Sequence, residues 1–162
     1  MDKVTIFSRR RFEEFVDIPV PKEDVVAIRI GDTKAVRDSV SKRYYDTLSL
    51  AFSDKSIYEE ELDRTKGEGS THITETDKAE IDAFVEQYKD KHFVVHCEHG
   101  INRSPAVGYY ILKKLGYEEE LAEKKASALY QPSIEVYGML IGKHYTKEND
   151  QALRNELKNI EL

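Results

Sequence analysis

Phe93-Val94-Val95-His96-Cys97-Glu98-His99-Gly100-Ile101-Asn102-Arg103-Ser104-Pro105 is the stretch from which the architecture can be read, and it holds the chain's only cysteine. Phe93, Val94 and Val95 form a β-prone apolar run. Pro105, Ala106 and Val107 begin a helical pattern, with Ser104 expected as its N-cap. Cys97 therefore falls at the end of a strand and Arg103 at the start of a helix. A loop of this length, curled into a first helical turn, points successive backbone N–H groups at one centre and forms an anion cradle. Arg103 adds a planar fork for two phosphate oxygens. Gly100 permits a positive φ or a close approach of backbone to ligand. A thiol in that cradle sees dipoles and a guanidinium that favour the thiolate, so its ordinary value of about 8.5 is expected to fall toward neutrality.

His96-Cys97, five residues and then Arg103-Ser104 resembles the signature of the cysteine-dependent protein tyrosine phosphatase superfamily. The continuation Pro105-Ala106-Val107 is similar to its compact dual-specificity branch. The resemblance implies a hydrolase with a phosphocysteine intermediate. In that reading Cys97 attacks phosphorus, and the amides of Glu98, His99, Gly100, Ile101, Asn102 and Arg103 bind the phosphate together with the Arg103 side chain. Ser104 helps expel the thiolate, and His96 sets the cysteine's ionisation from behind the loop. Other readings of the same residues are a buried structural cysteine, a sulfur-transferase-like loop, or a metal site on His96, Cys97 and His99. The crowding of the last three into one short run lacks the separated ligand pairs of a zinc site. No metal and no cofactor are therefore expected.

A leaving alcohol or phenol needs a proton, and the second step needs a base, so a carboxyl group should face Cys97. Val4 to Phe7, Val25 to Ile30, Leu48 to Phe52 and Phe93 to Cys97 read as strands separated by crossover-length stretches. The expected fold is α/β: a central, mostly parallel sheet of about four or five strands flanked by helices, as in dual-specificity phosphatases. Parallel strands would put Ser8, Gly31, Ser53 and Cys97 on one edge, with Asp54 just beyond. The family's general acid also follows a strand resembling Leu48 to Phe52. The interval from Asp54 to Cys97 is longer than in compact members, and Asp63 lies nearer the usual one, so the acid is Asp54 or, alternatively, Asp63, with Glu59 to Glu61, Asp77 or no effective acid as the remaining readings. The absence of tryptophan excludes the tryptophan-bearing acid loop of the larger tyrosine phosphatases. The stretch from Ser53 to Thr74, with Gly67 and Gly69, reads as an acid-bearing loop or a surface insertion.

The 162 residues, 40% hydrophobic, suit one phosphatase domain over 1–162 with a helical part from about 104. No apolar run is long enough to span a bilayer, and one unpaired cysteine gives no disulfide framework, so a cytoplasmic setting is expected. A net charge of −6 argues against broad nucleic-acid affinity. The expected partner is a phosphorylated protein or small phosphomonoester, without membrane insertion and with nucleic acid only as a phosphorylated substrate. Phosphotyrosine or dual specificity leads. An RNA 5′-phosphate, nucleotide or phosphoinositide phosphatase is one alternative, and a weakly active or inactive phosphate-binding module is the other. Arg9, Arg10 and Arg11, with Lys34, Arg37, Lys42 and Arg43, are candidates to attract an acidic substrate, and Tyr44 or Tyr45 to line the pocket. Thr74 and Asp77 have capping-box spacing, Gly116 marks a helix stop, and further helices are expected over Leu121 to Leu129, Ile134 to Ile141 and Leu153 to Ile160.

Overall fold

Four parallel strands in the order β1-β4-β2-β3 form the sheet: β1 (Val4–Ser8), β2 (Val25–Gly31), β3 (Asp46–Ala51) and β4 (His92–Cys97). The structure, a computed structural model, describes residues 2–14, 20–33, 40–54, 72–143 and 148–161. Helices α1 (Arg9–Glu14), α2 (Glu75–Gln87), α3 (Arg103–Leu115), α4 (Glu118–Ala126), α5 (Ile134–Leu140) and α6 (Asp150–Glu156) flank it. This is the α/β architecture expected from the sequence. Strand β4, last in sequence, lies between β1 and β2, so Cys97 emerges from the middle of the sheet with Ser8 as its register partner.

Strand residues alternate between two faces. Val26, Ile28, Ile30, Phe93, Val95 and Cys97 join the larger core with Ile81, Val85, Val107, Ile111 and Tyr137 from the helices. Val25, Ala27 and Val94 belong to a smaller core with Phe12 of α1 and Tyr44. A fully buried Val, Ile or Leu stabilises by about 1.5–3 kcal/mol, so these two apolar layers hold the sheet in place from both sides.

Local signals set the helix ends. Thr74 Oγ1 accepts the Asp77 N–H at 3.2 Å, and Asp77 accepts the Thr74 N–H at 2.9 Å, which closes the capping box that starts α2. Asp77 is thus committed to the helix. Gly116, at φ 82°, ends α3, and the Tyr117 N–H returns to the Leu112 carbonyl at 2.9 Å, a left-handed stop that disfavours a side chain. Two expectations are corrected. Helix α3 starts at Arg103 with Asn102 as N-cap, so Ser104 lies inside the first turn. Helix α4 ends at Ala126, and Leu129 lies beyond it, 71% exposed.

The edge strand β1 is clasped by α4. Glu120 accepts the backbone N–H groups of Lys3 at 2.6 Å and Val4 at 3.1 Å, and pairs with Lys124 at 3.2 Å. Removing the carboxylate strands two amides in a partly buried place. Glu120→Ala is expected to lower stability by about 2–4 kcal/mol in urea unfolding. The exposed neighbour Glu119 should tolerate alanine within about 0.5 kcal/mol.

Candidate active site

The loop after β4 turns its carbonyls outward. The Glu98 carbonyl accepts the Arg9 N–H at 3.1 Å, the Ile101 carbonyl that of Gln131 at 2.8 Å, and the Asn102 carbonyl that of Ser133 at 2.9 Å. The Asn102 side chain does not cap α3; its Nδ2 donates to the Gln131 carbonyl at 2.7 Å. The amides of His99, Ile101 and Asn102 donate to no acceptor among the described residues. Unpaired loop amides and an uncapped helix N-terminus together favour an anion.

Cys97, 2% exposed, has its Sγ 3.3 Å from the Gly100 amide, which donates to it, and 3.1 Å from Ser104 Oγ. Ser104 is fully buried in the first turn of α3. Gly100 has φ 73°, and a Cβ there would lie 2.7 Å from the Ser8 nitrogen and 2.8 Å from the Phe7 carbonyl carbon. The loop can therefore press on the end of β1 only through a glycine.

Arg103 is 12% exposed and held along one edge. Its Nη1 donates to Asp32 Oδ1 at 3.0 Å and to the Phe52 carbonyl at 2.9 Å. Its Nε and Nη2 find no acceptor among the described residues. Asp54, exposed, follows Phe52 by two positions at the end of β3, on the strand edge expected for it. Asp63 lies outside the described residues, as do Glu59 to Glu61, Gly67, Gly69, Lys34 and Arg37. Glu98 and His99 are exposed, Glu98 beside Arg9 at 3.8 Å, and Ile101 is a 41% exposed apolar side chain on the loop. No three His, Cys, Asp or Glu side chains among the described residues are grouped to hold a metal ion.

His96 lies on the other face of β4, 3% exposed. Its Nδ1 is 3.3 Å from the Cys97 carbonyl, its Nε2 accepts from Arg29 Nε at 3.1 Å, and the Phe12 ring packs on it with centroids 4.3 Å apart. Burial above all pushes His96 down to about 4. The Cys97 carbonyl opposes this, while the Arg29 and Arg9 charges add to it. Arg29 and Asp32 were not singled out from the sequence. Arg29 had a signal, a charge inside the apolar strand Val25–Gly31. Asp32 had only its place one residue past that strand.

Two of the described basic residues are locally compensated. Arg9 pairs with Glu13 at 2.9 Å and Arg10 with Glu14 at 3.1 Å. Lys42, Arg43, Tyr44 and Tyr45 precede β3 and so lie toward the strand starts, away from Cys97. Tyr44 stacks on Phe12 at 5.1 Å in the smaller core, and burial pushes its hydroxyl up to about 12. A cavity of about 240 Å³ opens beside the loop, lined by Arg9, Arg29, Asp32, Thr33, His96 and Glu98 among others.

No family model matches the sequence, and no curated protein matches it. Among solved structures the chain is similar to the crystal structure of human DUSP28. The identity is 17% and the TM-score 0.50, over 95% of this chain and 95% of that one. This likeness shows a shared dual-specificity-phosphatase-like fold.

Gly100→Ala is expected to weaken tungstate or phosphate binding on the order of tenfold or more in calorimetric titration. Gly142→Ala, also at positive φ but with nothing within 4 Å of its Cβ, should cost stability alone. The His96 ring also makes stability depend on pH. Its folded value lies below the unfolded value of about 6.5, so below that pH the unfolded chain gains a proton the folded one refuses. Stability is complete above about 6.5 and falls by roughly 3 kcal/mol toward pH 4. His92, also pushed down mainly by burial, acts in the same sense. Urea midpoints across that range should show the decline, and His96→Asn should reduce it.

Proposed function

We propose that this protein hydrolyses phosphomonoesters through a phosphocysteine intermediate, as a protein tyrosine or dual-specificity phosphatase. The supporting observation is the loop itself: Cys97 Sγ sits between the Gly100 amide and the Ser104 hydroxyl, with neighbouring amides and two Arg103 nitrogens that meet no acceptor among the described residues. A dianion is the ligand that such a donor set suits.

In the first step the Cys97 thiolate forms an S–P bond while the P–O bond to the leaving group breaks. Asp54 gives its proton to the departing oxygen. The loop amides and Arg103 carry the charge on the phosphoryl oxygens. In the second step water attacks phosphorus, Asp54 takes its proton, and the S–P bond breaks to release phosphate. The Ser104 hydroxyl donates to the thiolate as it leaves. The whole chain serves as the phosphatase domain. The chemistry suits the cytoplasm, where a lone thiolate stays reduced. Local pairing of Arg9 and Arg10 with glutamates favours a phosphorylated protein over a polyanionic nucleic acid or phosphoinositide.

Hydrolysis of a small aryl phosphate tests this reading. Cys97→Ser should abolish turnover, and Arg103→Ala should lower kcat/KM roughly 10²- to 10³-fold. Asp54→Asn should lower kcat about 10²-fold and remove the loss of activity on the alkaline side, where a general acid is deprotonated. Full activity in the Cys97 variant would sink the mechanism. A loss in Asp63→Asn with none in Asp54→Asn would move the acid to Asp63.

A further inference from the structure

Arg29 is a charge in the middle of a buried strand, 3% exposed, for which the proposed chemistry has no use. It is the register partner of His96 across β2 and β4, and both side chains lie on the face opposite Cys97. Its Nε donates to His96 Nε2 at 3.1 Å and its Nη1 to Ser41 Oγ at 3.0 Å. The guanidinium carbon lies 4.9 Å from the centre of the Phe12 ring, which in turn packs on His96. Stacking and hydrogen bonds thus fix the guanidinium plane and its direction toward the imidazole.

From this geometry we infer that Arg29 is a positioning residue that holds His96 as its neutral Nδ1–H tautomer, so that the ring donates its one proton to the Cys97 carbonyl. Arginine has donors only and does not lose its proton in a protein. Nε2 must therefore present its lone pair to Arg29, and the ring proton resides on Nδ1, facing the carbonyl 3.3 Å away. A second proton on Nε2 would point at the arginine N–H, so the imidazolium is excluded. The other charges near the ring are Arg9 and Glu13 from α1, with Asp32 and Glu98 sharing the cavity it lines. Arg9 acts with Arg29 against protonation, and Glu13 acts against both.

The device has a use in the proposed reaction, on which its functional meaning rests. Histidine behind a reactive thiol ordinarily changes charge across the pH range in which the enzyme works. With Arg29 in place the charge behind the loop is permanent, and the ring's single N–H polarises the peptide that joins Cys97 to Glu98. The amides facing the anion then keep their strength while the pH varies.

Ring-nitrogen NMR of the full chain reads the tautomer directly. The expected spectrum has Nδ1 protonated and Nε2 bare, unchanged from about pH 5 to 8. In Arg29→Met, His96 should acquire a titration inside that range. The pH profile of Cys97 alkylation by iodoacetamide should then gain a second inflection at the His96 midpoint, absent from the parent. In a His96→Asn background the Arg29 substitution should produce no such inflection, because the inflection arises from the ring. A proton on Nε2 in the parent, or His96 titrating there between pH 5 and 8, overturns the inference even if the variants do not fold. So does a folded Arg29→Met with unchanged spectrum and alkylation. Neither readout uses turnover, so an inactive protein with the expected spectrum would refute the phosphatase reading and leave the histidine lock standing.

Discussion

The outward bonding of three loop carbonyls is the constraint on which the site depends. A peptide unit cannot turn its C=O one way without sending its N–H the other. Once the carbonyls of Glu98, Ile101 and Asn102 are tied to Arg9, Gln131 and Ser133, the inner face of the loop is left with donors. Those ties come from opposite sides of the fold: Arg9 begins α1 just after β1, and Gln131 and Ser133 lie in the segment leading into α5. The loop is therefore braced by both flanking layers. Its amides are organised before any ligand arrives, which lowers the reorganisation that anion binding would otherwise require.

The period of two in strand β4 distributes the remaining work. Cys97 points into the larger core beside α3, where Ser104 is buried against it. His96, its neighbour in sequence, points to the smaller core under α1. Adjacent residues thus receive opposite environments from one backbone: a ring of donors on one side, and an aromatic ring with a buried guanidinium on the other. Two cores explain why the short helix α1 matters. Phe12, completely buried, covers both His96 and Arg29.

What was legible in the sequence was what short spacing determines. The strand-to-helix turn at Cys97 and Arg103, the Thr74 and Asp77 capping box and the Gly116 stop each rest on residues within a few positions of one another. The parallel sheet followed from strand and crossover lengths. Long-range partners were not legible. Asp32 meets Arg103 and Arg29 meets His96 only because β2 lies beside β4, an order that no local pattern specifies. The misplaced N-cap has a similar cause. Ser104 has the right side chain for a cap, but its hydroxyl is turned to Cys97 Sγ, and the helix starts two residues earlier than such a cap would set it, at Arg103, without a side-chain cap. Lys42 and Arg43 follow the second strand in sequence, which suggested the catalytic edge, yet with Tyr44 and Tyr45 they lead into β3, and the start of a parallel strand lies at the opposite edge from its end.

The Asp32 to Arg103 pair carries the electrostatic argument one step further. Asp32 is 80% exposed, and such an ion pair contributes little stability, about 0–1 kcal/mol. Its effect is directional. The carboxylate and the Phe52 carbonyl both take Nη1, which leaves the edge formed by Nε and Nη2 for a bidentate ligand. A phosphate dianion can occupy that edge without displacing Asp32, so the guanidinium is oriented without being saturated. The Phe52 contact also links this orientation to the end of β3, where Asp54 follows two residues later. A shift of that strand end would disturb the arginine and the nearby carboxyl together, which couples the orientation of the guanidinium to the placement of the group proposed to protonate the leaving oxygen.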